Sequence, residues 1–221
     1  MDFGVVASSF SNYRWPEFLQ ALRHLGVEAL ELDSQPNARS NNWMPETDPA
    51  VVVEDLKAMG LRVGAVFAAV DFVQTDPDPL KREIEAAKAF TDLSFQYRSE
   101  IVHLSPQHPR VGMTREAMIA SIERGCAALL EHAEEYGILI CLSPDAELLR
   151  DADTIRSLIH RSGSYNLRAT LDTLRWLRAF KDPEMVRSTA ADLLEYAGHV
   201  ILQDGRVDGA SGIVVELPLS T

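Results

Sequence analysis

Cysteine is scarce in this chain. Only Cys126 and Cys141 occur in 221 residues, and neither has a partner at metal-ligand spacing. Two cysteines make no disulfide framework, so the fold rests on a hydrophobic core. Cys141 lies in the apolar run 138–142 and reads as a buried structural thiol. Basic residues are in deficit: 21 Lys and Arg stand against 33 Asp and Glu, for a net charge of −12. No Lys- or Arg-rich run exists. Nucleic acid is excluded as a partner on that ground, because neutralising phosphates needs a basic face. Small phosphorylated substrates are not excluded, since an acidic protein can bind anions locally. Long apolar runs are missing too, and none approaches the roughly 18 residues of a membrane span. Met1-Asp2-Phe3-Gly4 carries neither a basic segment nor an apolar signal core. These absences predict a cytoplasmic protein.

What the chain does have is a large apolar fraction, 46%, enough for the core of one domain over residues 1–221. It is organised around residues 167–175, Leu-Arg-Ala-Thr-Leu-Asp-Thr-Leu-Arg. Apolar residues run into one acid, Asp172, and a helix-forming segment follows. A carboxylate at the mouth of a buried strand is expensive unless it binds something.

Seven further short apolar runs resemble this one: 3–7, 29–32, 61–69, 101–104, 138–142, 199–202 and 213–215. Helical periodicity marks 16–25, 48–59, 79–97, 114–136, 151–161 and 183–196, with Thr114 as an N-cap and Gly137 as a stop. A glycine precedes the apolar run at Gly26, Gly60, Gly137 and Gly198. Continuous apolar runs alternating with helices predict a parallel sheet covered by helices, and eight of them predict an α/β (β/α)8 TIM barrel. The chain is short for such a barrel, which takes about 250 residues. Residues 203–211 leave little room for a crossover helix. The expected barrel therefore lacks its last one or two outer helices. The apolar surface this exposes near the seventh and eighth strands predicts a homodimer.

Several segments together resemble one known family. Gly26-Val27-Glu28-Ala29-Leu30-Glu31-Leu32 matches its second strand, and Gly60-Leu61-Arg62-Val63 its third. Ala133-Glu134-Glu135-Tyr136-Gly137-Ile138 matches the entry to the fifth strand. Leu171-Asp172-Thr173 matches the "D-T-x-H" of the sixth, and Gly198-His199-Val200-Ile201-Leu202-Gln203-Asp204 the "x-H-V-H-L-K-D" of the seventh. Gly212-Ile213-Val214-Val215-Glu216 matches the "G-x-x-x-E" of the eighth. The chain thus resembles the xylose isomerase-like TIM barrels: sugar phosphate isomerases and epimerases, hydroxypyruvate isomerases, inosose dehydratases and endonuclease IV relatives.

That resemblance implies one divalent metal at the C-terminal mouth, held by a Glu after strand five, an Asp after strand six, a His on strand seven and a Glu on strand eight. Such a metal grips two oxygens of a hydroxy-ketone and stabilises the enediolate formed on proton loss. Asp172 and Glu216 stand at two of the four positions. Ser143 and Ile201 stand at the other two, and Arg175 replaces the His that follows Asp-Thr. His199 lies two residues before Ile201, roughly 6–7 Å down the strand, and reads as structural. Two outcomes follow. One is a weakly held manganese or magnesium on Asp172 and Glu216, completed by water or by Asp145 or Glu147. The other is a metal-free site where Arg175, Arg206 or His103 supplies positive charge. The His-rich three-zinc site of the endonucleases is absent.

The candidate catalytic residues are Asp172, Glu216 and His103. Candidate substrate contacts are Glu31, Arg175, Gln203, Asp204, Arg206, Ser143 and Asp145. Each has a plainer explanation. Asp172 can be an N-cap, Glu216 a solvated acid, Glu31 half of a buried ion pair with an arginine, His103 a satisfied core histidine, and residues 203–206 a polar turn. His108 and Trp43 lie on loops near the mouth, with Phe67 and Trp176 as further aromatic faces. His24, His132 and His160 read as surface residues. The resemblance implies an isomerase or epimerase acting on a small hydroxy-carbonyl, sugar or cyclitol, through an enediolate. The alternatives are a metal-independent lyase, dehydratase or cyclase on the same barrel, or a non-catalytic descendant that binds a ligand or partner.

Overall fold

The apolar runs become parallel strands: β1 Gly4–Val6, β2 Ala29–Asp33, β3 Arg62–Ala69, β4 Ile101–Ser105, β5 Leu139–Leu142, β6 Leu167–Asp172 and β7 Ala197–Ile201. This is a computed structural model, and it describes residues 3–10, 12–33, 48–106, 109–144, 147–209, 211 and 213–217. The seven strands pair in sequence order, each parallel to the next. Flat strands about 4.8 Å apart would hold β2 and β7 more than 20 Å from each other. Glu31 on β2 nevertheless meets His199 on β7 at 2.8 Å, so the sheet curls on itself as a shortened barrel.

The helices fall close to the predicted spans: α1 Trp15–Leu25, α2 Pro49–Ala58, α3 Pro77–Gln96, α4 Arg115–Tyr136, α5 Ala152–Ser162 and α7 Pro183–Leu193. Between β6 and α7 lies the short α6, Thr173–Phe180. The ends have local causes. Thr114 Oγ1 accepts from the Ala117 N–H at 3.2 Å, and Asp48 Oδ1 from Ala50 at 2.9 Å. Gly26 and Gly137 close α1 and α4 in the left-handed region, φ 68° and 66°, where a side chain would be strained.

Each barrel strand turns alternate residues toward its helices. Leu30 and Leu32 pack with Phe18 and Leu22 of α1 and Leu56 of α2. Leu104, Leu142 and Leu171 pack in a larger cluster with Ile122 of α4, Ile155 of α5 and Trp176 of α6. The residues between them, Glu31, His103 and Cys141, therefore face the barrel interior. Both thiols are buried, and burial pushes them up to about 12, as befits structural cysteines.

Two expectations change. The run 213–215 is not an eighth barrel strand among the described residues. Instead β8 Asp204–Val207 and β9 Val214–Leu217 form a separate antiparallel hairpin. The reason is length: a parallel return needs a crossover of a dozen or more residues, while a reversal needs only a turn. Asp208 makes that turn, its N–H donating to Ile213 O at 2.8 Å and its Oδ1 accepting from the Ser211 N–H at 3.0 Å. Gly198 also differs from the helix-ending glycines. It lies inside β7, where a Cβ would sit 2.7 Å from Cys141 Sγ and 2.8 Å from Arg168 Cβ. Its role is close approach. No described helix is long and apolar enough to cross a membrane.

Candidate functional site

Three strands deliver polar side chains to one point inside the barrel. Glu31 Oε2 lies 3.1 Å from His103 Nδ1 and 2.8 Å from His199 Nε2. Glu31 and His103 are 6% and 1% exposed, while the His199 side chain keeps 19%. Each imidazole presents an N–H to the shared carboxylate oxygen. Burial works to raise the Glu31 pKa, but the hydrogen bonds from His103 and His199, and their charge, outweigh it and hold the carboxyl at about 2. The other ring nitrogen of His103, Nε2, is buried without a partner among the described residues. Phe67 meets the His103 ring edge-on at 5.0 Å. The expected ion pair between Glu31 and an arginine is thus replaced by a pair of histidines, and His199 belongs to the cluster.

The second polar group sits at the end of β6. Asp172 is 2% exposed. Its Oδ1 accepts from the Arg175 N–H at 2.9 Å, capping α6, and its Oδ2 lies 3.3 Å from Arg175 Nε. Burial raises the Asp172 pKa above the ordinary value. The Arg175 N–H and guanidinium pull it down, as does the charge of His103, but they do not cancel the burial. The cap and the pocket position are therefore the same residue. Arg175 also donates from Nη1 to Pro144 O at 3.4 Å, and its side chain stays one-third exposed.

The other candidates are placed less centrally. Ser143 is fully buried, its hydroxyl donating to Pro144 O at 3.4 Å. Gln203 and Arg206 are exposed. The Gln203 backbone is tied to Thr173 Oγ1 in both directions, at 3.0 and 3.3 Å. Asp204 opens β8, and Glu216 lies in β9 opposite Gly205. Asp145, His108 and Trp43 fall outside the described residues. Trp176 is a core residue rather than a pocket face. His132 pairs with Asp92 at 2.7 Å, and His24 and His160 are exposed.

The four donor positions implied by the resemblance do not fit a metal. Ile201 has no donor atom and pairs in register with Asp172. Ser143 spends its hydroxyl on a backbone carbonyl. Both oxygens of Asp172 face Arg175, and Glu216 is carried on the hairpin rather than on the barrel sheet. Glu31, His103 and His199 are the described group whose donor atoms converge, all within 4.8 Å of one another. The signal for them was present as a pattern. Each is a single polar residue between outward apolar neighbours, in Leu30-Glu31-Leu32 and Val102-His103-Leu104, or beside one, in His199-Val200.

Comparison with known proteins places this geometry in context. No curated protein matches the chain. The IolI protein, in a structure with a bound zinc atom, superposes with a TM-score of 0.77 at 14% identity, over 93% of this chain and 73% of that one. A D-tagatose 3-epimerase-like protein gives 0.76 at 16% identity, over 92% and 76%. The probable 3-DHS dehydratase AsbF of Bacillus anthracis gives 0.74 at 15%, over 93% and 74%. At these identities the likeness is one of fold. The model of the xylose isomerase-like TIM barrel family matches residues 19–219, and the chain belongs to that family.

Proposed function

We propose that this chain is a cytoplasmic enzyme of the isomerase or epimerase kind, which moves a proton next to the carbonyl of a small sugar- or cyclitol-type substrate. One observation carries the reading: a buried carboxylate of raised pKa, Asp172, stands beside the partly exposed guanidinium of Arg175. A carboxylate whose pKa is raised by burial is a better proton acceptor than a solvated one. An adjacent cation stabilises the enediolate oxygen that develops when the proton leaves. In this reading Asp172 takes the proton and Arg175 holds the oxyanion. Glu31 and His199 fix the ring of His103, whose charge reaches Asp172. A second copy of the chain covers the exposed apolar residues near β7.

The test is exchange of the substrate's α-proton for deuterium, followed by proton NMR in heavy water. The panel comprises ketoses, aldoses, keto-cyclitols and their phosphates. Wild type exchanges at least one of them, and Asp172→Asn slows the exchange by about 100-fold or more. Full exchange by Asp172→Asn removes that residue from the chemistry. No exchange with any member of the panel overturns the reading.

A further inference from the structure

We infer that Glu31, His103 and His199 form a binding site for one late first-row divalent ion of the zinc class, displaced inward from the donor positions implied by the family resemblance.

The donor spacing suits one small ion. Zinc bonds to imidazole nitrogen and carboxylate oxygen are about 2.0–2.1 Å long, so two donors on a tetrahedral ion stand about 3.3 Å apart. The two donor separations to Glu31 are 3.1 and 2.8 Å, and all three donor atoms lie within 4.8 Å of one another. Shifts of a few tenths of an ångström at those two contacts, with closure of the third pair from within 4.8 Å, seat the ion. It then takes the place of the two hydrogens that Glu31 now accepts. Removing hydrogens between converging donors is what metal binding does, since the ligating imidazole nitrogen must be unprotonated.

Two imidazoles and one carboxylate, with a fourth position open, make a donor set used by catalytic zinc. Nitrogen donors select against magnesium and calcium, which prefer oxygen cages. The three donors come from β2, β4 and β7, not from loops, so their spacing is held by the sheet. His199 keeps the exposure that gives an ion and its fourth ligand a way in.

His103 is buried with Nε2 unsatisfied, and an unsatisfied buried polar atom is destabilising. A leucine or phenylalanine would fill the position without that penalty. Packing therefore does not account for a histidine here; its Nδ1, turned toward Glu31 and the converging His199, does. When bound, the ion would supply a Lewis acid for a substrate oxygen.

This deepens the reading of the barrel mouth as an active site, but it is tested by binding alone. The full chain is stripped with chelator, then titrated with zinc by calorimetry and with cobalt by visible absorption. The expectation is one ion per chain, with the strong visible bands of four-coordinate cobalt and no comparable heat from magnesium. His103→Gln, His199→Gln and Glu31→Gln each weaken binding by more than about 100-fold, since even an outer partner of a metal ligand is worth 10–100-fold. Asp172→Asn binds as wild type does. His199, being partly exposed, is the variant that decides if the buried ones fail to fold. The inference is overturned if no ion binds, if His199→Gln binds normally, or if Asp172→Asn abolishes binding. An ion lost only in the cluster variants, with no proton exchange on any substrate, upholds this inference and overturns the proposed activity. Proton exchange by a chain that binds no ion does the reverse.

Discussion

Glu31→Gln in metal-free protein replaces the buried carboxylate with a neutral group of the same shape. The wild-type carboxyl sits at about 2 in the folded chain against 4.5 for a free glutamate, because two ring N–H groups and the imidazole charge outweigh the cost of burial. At about 1.4 kcal/mol per tenfold change in proton affinity, that gap favours the ionised form by about 3 kcal/mol. The sign is fixed by the direction. A carboxyl with a depressed folded pKa contributes its full stability above 4.5, loses it as pH falls from 4.5 towards 2, and contributes nothing below that. Glutamine imitates the protonated acid, so the variant is less stable than wild type by about 3 kcal/mol at pH 7, and the difference shrinks as pH falls below 4.5. Urea unfolding followed by circular dichroism at pH 7, 5 and 3.5 measures it. Equal midpoints at pH 7, or a difference that widens on acidification, refutes the claim that His103 and His199 stabilise this carboxylate.

Gly125→Ala, which in an ordinary helix would gain about 1 kcal/mol, should here cost about 1–3 kcal/mol, because the added Cβ would lie 2.5 Å from the Phe72 ring; a lowered melting temperature checks it. Asp172→Ala should lose about 1 kcal/mol through the α6 cap, while Asp172→Asn keeps the acceptor for the Arg175 N–H and unfolds close to wild type. Cys126 and Cys141 should resist a thiol reagent in the native state and react only on unfolding, since both are buried with thiols pushed up to about 12. Wild type should run as a dimer by light scattering and Leu202→Asp as a monomer, since Leu202 is an apolar residue 61% exposed beside β7; a monomeric wild type at micromolar concentration defeats the dimer.

Much of the architecture was legible because its causes are local. Thr114 and Asp48 cap helices by reaching two or three residues along the chain. Gly26 and Gly137 end helices because they reach the left-handed region without strain. The alternation of apolar runs and helices requires a parallel sheet whatever the details. The hairpin of β8 and β9 is not legible in this way, because the run 213–215 looks like its siblings and the shortness of 203–211 fits a missing helix as well as a reversal. Gly198 precedes an apolar run as Gly26 and Gly137 do, but its cause is the approach of Cys141 and Arg168.

The candidate site divides along the same line. Asp172 and Arg175, three residues apart, form a pair that sequence spacing foresees. Glu31, His103 and His199 could each be placed on an inward strand position, yet they are separated by 72 and 168 residues from Glu31. Period-two alternation sets each of the three on the face opposite its apolar neighbours, and that much the sequence alone determined. It says nothing of how tightly seven strands curl. That curl, set by strand twist and by the helices packed outside, brings β2 against β7 across the barrel, and only the tertiary structure could decide that three isolated polar residues share one point.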